Sequence, residues 1–357
     1  MTNHTSGFRI SLTNVTGLGA TELVRSLLPA LERAGHVTDI YLPANGPMAG
    51  YRRTFVGPVP QRVKRCLPNA VSRLLECTLL SGKFKGGSPL LVLGDLPLRI
   101  DSRQIVFVHT PHLLLEPAGA SAVQRVKFGI ARAVFRLNAP RISAAIVQTP
   151  TMQRGLRAAY PSLGDRIYII PQPAPDWLLQ SGLQRNGRVM SGKLRLFYPA
   201  ATYPHKNHAL LYSATTLHAW SQEIDKLILT VPPSKLTAEV RTVQAVGRLL
   251  SEDMRKQYAL ADALVFPSLA ESYGLPLIEA MWLGLPILCA DLPYARDLCG
   301  EEAIYFSPHD PVSLARAVTE LSERLVRGWW PDWQSRIQQL PTSWDEVAKR
   351  MCIIVHR

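Results

Sequence analysis

The sequence predicts an α/β protein made of two doubly wound domains. Three observations carry that reading. Short, continuous apolar runs alternate with helical patterns; the alternation breaks once, over residues 171–193, and then restarts; and 357 residues are more than a single core ordinarily holds. Strands that are apolar throughout belong to a parallel sheet covered on both faces.

The elements follow in order. Residues 8–12 read as the first strand. Residues 21–34 read as a helix, with Leu23, Leu27, Leu28 and Leu31 at helical spacing and Gly35 just past its end. Further buried-type strands are expected at residues 37–42, 90–93, 105–109, 144–148 and 167–170. Pro171, Pro173, Pro175, Gly182, Gly187 and Gly192 then punctuate a polar stretch that reads as a linker. The second series predicts strands at 194–199, 227–231, 243–246, 263–266, 287–289 and 303–306. Helices are expected at 207–220, 252–261 with Ser251 as N-cap, 276–283 and 312–325. Trp344 opens a last helical pattern. The chain thus divides into a first domain (residues 1–175), a linker (176–193), a second domain (194–334) and a terminal segment (335–357).

Composition excludes several classes. With 47% apolar and 19% charged residues the chain is not disordered. Its longest apolar runs fall far short of the roughly 20 residues that span a bilayer. Residues 1–8 lack the apolar core of a signal peptide, so a cytoplasmic location is expected. Five scattered cysteines, Cys66, Cys77, Cys289, Cys299 and Cys352, form no CxxC pair and read as reduced thiols. Residues 1–190 carry a net charge of +14 and residues 191–357 carry −1. A basic first half suggests an anionic partner, with colloidal solubility as the plainer explanation. Nucleic acid is not expected, since the first half lacks basic residues interleaved with stacking aromatics. The helical pattern at 122–137 places Val123, Val126, Ile130, Val134 and Leu137 on one face. Arg125, Arg132 and Arg136 lie opposite, with Phe128 and Phe135 at the shoulder. That arginine face fits either an anionic membrane surface or plain solvent.

Some motifs carry less than they promise. The run from Gly187 to Lys193 nearly spells a phosphate-binding P-loop, but Leu194 stands where a hydroxyl should reach magnesium and no strand precedes it. Gly17 and Gly19 follow the first strand, where a phosphate-cradling turn belongs. Glu22 replaces the third glycine of a dinucleotide fingerprint, so a dehydrogenase is disfavoured. His109/His112 and His205/His208 are spaced i, i+3, yet no carboxylate or cysteine completes a metal set. No Asp-x-Asp occurs, so neither a metal nor a cofactor is expected.

Residues 261–286 are the most informative. They read as strand, loop, helix and turn. Pro276 suits the first helical turn, and the backbone N–H groups of Tyr273, Gly274 and Leu275 lead into a helix N-terminus that can bind an anion. Gly274 lets a ligand approach the backbone. Glu279, in the first turn of that helix, and Glu271, before the loop, flank the anion site. Both acids offsetting the helix dipole is the plainer alternative, but it explains neither the Glu-x7-Glu spacing nor its place after a strand.

This stretch closely resembles the C-terminal signature of the retaining GT-B glycosyltransferases of family 4, the glycosyl transferases group 1. Residues 199–208, with Lys206, resemble the family's preceding phosphate-lysine loop. The resemblance is strong over about residues 195–320. In the first half it rests on Gly17–Gly19, Gly35-His36 and residues 108–111, in position and type only. It implies a GT-B fold: two Rossmann-like domains facing a cleft, with the terminal segment crossing back to the first. It implies that Lys206 neutralises the diphosphate of a UDP- or GDP-sugar, Glu279 binds the ribose and Glu271 holds the transferred sugar. Ser272, Tyr273, Gly274 and Leu275 would contact sugar and phosphate. Val246, Gly247 and Arg248 would lie near the base, Gly17 and Gly19 beside the donor, and His109 would face the sugar. The acceptor would be a glycan or a lipid-linked sugar in cell-surface polysaccharide or lipopolysaccharide synthesis. Two departures stand out: Ala201 replaces an arginine common five residues before the lysine, and Ser272 replaces a smaller residue. A GT-B epimerase or phosphorylase and a non-catalytic nucleotide-sugar-binding protein share these features. A hydrolase with paired carboxylates would need neither Lys206 nor the helix end.

Overall fold

A computed structural model describes residues 7–15, 17–53, 57–65, 69–116, 119–180, 182, 192–236 and 241–357. Cys66 and most of the near-P-loop run at 187–191 lie outside them. The chain forms two compact units. The first comprises residues 1–116, 120–173 and 341–357, and the second residues 117–119 and 174–340.

In the first unit β1 (Phe8–Ser11), β2 (Val37–Pro43), β3 (Gln61–Val63), β4 (Leu90–Val92), β5 (Gln104–Phe107), β6 (Ile142–Val147) and β7 (Ile167–Ile169) form one parallel sheet in the order β3-β2-β1-β4-β5-β6-β7. Successive residues face opposite sides. Leu91 and Leu93 join one core with α1 (Leu18–Ala34), while Leu90 and Val92 join another with Phe135, Met152 and Leu156. The latter three come from α3 (Ala122–Asn138) and α4 (Pro150–Ala159), and α2 (Asn69–Cys77) packs on α3. Two expectations shift here. Helix α1 starts three residues early, because the Gly17 carbonyl accepts from both the N–H and the hydroxyl of Thr21. The polar edge strand β3 has no apolar pattern and was not foreseen.

Helix α3 requires a larger correction. Its N-terminus is closed by a capping box between Ser121 and Gln124. The buried side is formed by Phe135, its ring tilted 4.3 Å from that of Tyr160, together with Val134 and Asn138; Phe128 lies 4.6 Å from His112. Arg132 is held by the His112 carbonyl and by Glu116. Most of the apolar face read from the sequence, Val123, Val126, Ile130 and Leu137, is exposed.

The second sheet comprises β8 (Leu194–Tyr198), β9 (Ile224–Leu229), β10 (Val243–Ala245), β11 (Ala263–Phe266), β12 (Ile287–Ala290) and β13 (Ile304–Phe306). They are parallel in the order β10-β9-β8-β11-β12-β13. The unit begins inside the expected linker, with α5 (Asp176–Leu179), whose Leu178 is in the core. The helix expected over 207–220 is split into α6 (His208–Ala214) and α7 (His218–Glu223). Thr215 and Thr216 turn their hydroxyls onto the carbonyls of Tyr212 and Ser213 and close the first piece. Helix α8 (Ser251–Leu260) starts at Ser251; Leu250 occupies the N-cap, with Glu252 and Asp253 in the first turn. Helices α9 (Leu275–Trp282), α10 (Pro293–Cys299), α11 (Pro311–Val326) and α12 (Gln334–Ile337) complete the unit.

The C-terminal helix (Trp344–His356) belongs to the first unit. Trp344, Val347, Met351 and Val355 share a core with α1, and Arg33 forms two hydrogen bonds to Asp345, at 2.6 and 2.9 Å. Met351 is fully buried. Met351→Ala is expected to lower stability by about 2–5 kcal/mol, read as an earlier midpoint in urea unfolding followed by circular dichroism.

Candidate active site

In the second unit the strand order reverses beside β8: β9 and β10 lie on one side and β11 to β13 on the other. Such a reversal is where ligand sites of open α/β sheets form, outside the carboxyl ends of the strands, and here the loops at that place leave β8 and β11. Both loops carry residues singled out in the sequence, and they are laced together. Asn207 sits in the left-handed region (φ 56°) and donates its amide to the carbonyls of Pro267 and Pro308 at 3.2 and 2.8 Å. The Leu269 N–H and the Ser268 hydroxyl donate to the His205 carbonyl. From the strand below, the Tyr198 hydroxyl donates to the Lys206 carbonyl at 2.8 Å.

This lacing brings Lys206 against Glu271. The ammonium Nζ lies 2.5 Å from Glu271 Oε1 and 5.9 Å from the centre of the Phe266 ring. Both side chains are largely shielded, at 18% and 13% exposure. Gly274 caps α9 with φ 85°, a conformation that side chains disfavour, and no side chain caps that helix. An anion approaching this helix end would meet the positive end of its dipole beside Lys206. Ser272 and Leu275 are half-buried and Tyr273 is buried. On the edge strand side, Val246 and Gly247 (φ 72°) donate their N–H groups to Leu229 and Val231, leaving Arg248 exposed.

Glu279 departs from expectation. It is the fifth residue of α9, beyond the first turn, and only 7% exposed. The buried Tyr258 hydroxyl of α8 donates to its Oε2 at 2.6 Å. Burial pushes its carboxyl up to about 7, partly offset by that hydrogen bond. The two histidines of this segment differ in setting. His205 stacks on Tyr203, whereas His208 is held against Tyr198, its basicity pushed down to about 4 by burial and then by the Lys206 charge. Among the described residues no three His, Cys, Asp or Glu side chains gather as a metal site.

The first unit has its own reversal, between β1 and β4. Gly17 is the N-cap of α1, and Gly19, expected in the turn before the helix, is instead its second residue; a Cβ at either would meet open space, so nothing in the chain's own packing requires glycine there. Asp95, after β4, has φ 67°, and its Oδ1 accepts from the N–H groups of His109 and Thr110 at 2.7 and 3.1 Å. His109 Nε2 lies 2.9 Å from the Leu93 carbonyl and 3.6 Å from Asp95 Oδ2. Sequence reasoning missed Asp95, Asn207 and Tyr258. A signal existed for the first, since Gly94-Asp95 follows a buried strand directly; none marked Tyr258.

Residues 194–324 match the family Glycosyl transferases group 1. The match covers most of the second unit and none of the first. It is 42% identical over 69 residues, 19% of this chain and 8% of the relative, to the serotype-specific mannosyltransferase WbdA of Escherichia coli. It is 21% identical over 215 residues, 57% of each chain, to the O-antigen chain mannosyltransferase RfbU of Salmonella typhimurium. The chain thus spans a small part of the first relative and little more than half of the second. Its fold matches that of WaaG, a glycosyltransferase involved in lipopolysaccharide biosynthesis, with a TM-score of 0.68 and 15% identity over 98% of this chain and 99% of the other. Two parallel α/β units on the GT-B plan are thus the fold of this chain.

The buried Glu279 carboxyl gives a stability signature. Its titration moves from 4.5 to about 7 on folding, so between those values the folded state holds the proton more tightly than the unfolded chain. Stability contributed by this group is therefore lost as pH rises from 4.5 towards 7. Thermal melts across that range are expected to show the wild type losing stability relative to Glu279→Gln. A difference that stays flat with pH would place the carboxyl in its ordinary range.

Proposed function

We propose that the protein is a retaining glycosyltransferase that moves a hexose from a nucleotide-sugar donor to a glycan or lipid-linked acceptor in cell-surface polysaccharide or lipopolysaccharide synthesis. Mannose, named in the relatives' activities, is the first sugar to test, linked to GDP or UDP. The proposed place of action is the cytoplasmic side of a membrane, reached peripherally; among the described residues no helix is long and apolar enough to cross one. The observation that supports the reaction is the Lys206–Glu271 pair beside the uncapped N-terminus of α9.

On this reading the donor diphosphate takes Lys206 from Glu271, and the released carboxylate accepts hydrogen bonds from hydroxyls of the sugar. Glu279 binds the ribose once its carboxylate turns from Tyr258, and the turn at Val246–Arg248 borders the base. Ser272, Tyr273, Gly274 and Leu275 line the sugar and phosphate, Gly17 and Gly19 give the donor backbone access, and His109 meets the sugar from the first unit. The acceptor hydroxyl oxygen attacks the anomeric carbon on the face the diphosphate leaves. The C–O bond to phosphate breaks with its electron pair, and the acceptor's proton passes to the departing phosphate oxygen. Lys206 and the dipole of α9 stabilise the charge that develops, without requiring a divalent ion.

Lys206→Ala is expected to reduce kcat for sugar transfer about 10²–10³-fold while the variant stays folded. Transfer by the wild type should continue in EDTA; inhibition reversed by magnesium or manganese would contradict charge stabilisation by Lys206 alone. Glu279→Ala is expected to weaken nucleotide affinity about ten- to a hundredfold in calorimetry, the loss of one charged hydrogen bond. Unchanged affinity in a folded variant would remove Glu279 from the ribose site.

A further inference from the structure

Large apolar side chains are unevenly exposed. Among the described residues sixteen are open to solvent, and eight of them belong to α2, the turn after it, and α3. On α3 they form a stripe: Val123, Val126, Ile130 and Leu137 recur at helical spacing, with exposures of 78, 62, 45 and 53%. Val71 and Leu74 lie on α2, and Leu79 and Leu80 follow it. The two groups are neighbours, because α2 packs on α3 and the Asn138 amide at the end of α3 donates to the Cys77 carbonyl at the end of α2 at 2.9 Å. An apolar surface of this kind on a folded domain marks an interaction site.

Charge identifies the occupant. Around α3, Lys127 lies next to the stripe, and Arg125 and Arg136 mark the far margin of the solvent face towards the arginine side; all three are exposed. No Asp or Glu occurs between Glu116 and Asp165, a stretch holding seven Lys and Arg. None occurs between Glu76 and Asp95 either, where Lys83 and Lys85 are exposed. A second copy of the chain meeting this face about a twofold axis would set cations against cations. An anionic bilayer accepts both components: its headgroups pair with the cations and its acyl boundary takes up the apolar stripe.

We infer that α3, with the exposed end of α2, is an insertion face for an anionic lipid bilayer. Its contact is the apolar stripe sinking between headgroups, and not the arginine side expected from the sequence, since Arg132 is committed to His112 and Glu116. The inference deepens the peripheral location proposed above and does not depend on the sugar-transfer reaction.

Flotation of the full chain with phosphatidylcholine vesicles, with and without phosphatidylglycerol, tests it without donor or acceptor. The wild type is expected to float with the anionic vesicles. Val126→Glu/Ile130→Glu should weaken that partition at least about tenfold, and the milder Val126→Ser/Ile130→Ser should weaken it in the same direction if the first folds poorly. Arg125→Gln/Lys127→Gln/Arg136→Gln should erase the preference for anionic over neutral vesicles. Ile353→Glu, at an exposed apolar position of the C-terminal helix, should change nothing. Folded variants should keep nucleotide affinity, so loss of sugar transfer and loss of vesicle binding are separable. Three outcomes overturn the inference: a wild type that ignores both vesicle types, equal partition by the wild type and both stripe variants, or a dimer that the stripe variants disperse.

Discussion

Parallel strand pairing is the constraint from which the candidate site follows. A parallel strand must be followed by a crossover to the opposite end, so helices cover both faces of each sheet and every strand delivers its loop to the same edge. Where the order of strands reverses, two neighbouring loops part and leave space that no side chain of the core fills. In the second unit that place lies between β8 and β11, and in the first between β1 and β4. The residues with functional roles in the proposal leave those edges mostly on these loops. The buried strands fix their starting points, and only short segments remain to be ordered.

The ordering in the second unit is mutual. Lys206 and Glu271 arrive from different loops, and each would be an expensive lone charge in so shielded a position. Paired, they hold the loops in register without a ligand, with the Asn207 amide and the Tyr198 hydroxyl fixing the backbone beneath. A lysine suits such a role because its ammonium is a compact charge on a flexible stem and can exchange one anionic partner for another. Glu279 is arranged on the same principle, its carboxyl resting on the Tyr258 hydroxyl. On the proposed reading a donor would therefore exchange these partners for its own groups and would not meet unpaired charge.

Much of this was legible in the sequence, for identifiable reasons. Buried parallel strands are apolar throughout, and twelve of the thirteen were placed within a few residues; β3 failed because an edge strand reading Gln61-Arg62-Val63 carries no such signal. The Gly274-Leu275-Pro276 turn was readable because φ 85° and the first helical turn each demand a particular residue type. Contacts between distant segments were not readable. Nothing near Glu279 announces Tyr258, and nothing near Lys206 announces that Glu271 will close on it. Helix α3 misled for a related reason: periodicity identifies an apolar face but not whether the fold covers it. There the sheet took Phe135 and Val134, and most of the stripe was left outside.

The position of the C-terminal helix has a consequence for the order of assembly. The first unit is discontinuous: its sheet is encoded by residues 8–169, but the helix that closes over α1 comes from residues 344–356. During synthesis the second unit is translated in between, so Leu27, Leu31 and their neighbours wait for a partner until residues 344–356 have emerged. The second unit, contiguous from residue 174 to 340 apart from residues 117–119, which are made earlier, can complete its core while the first is still open. The unit made first is therefore the unit finished last, and its maturation is tied to passage of the entire second unit through the ribosome.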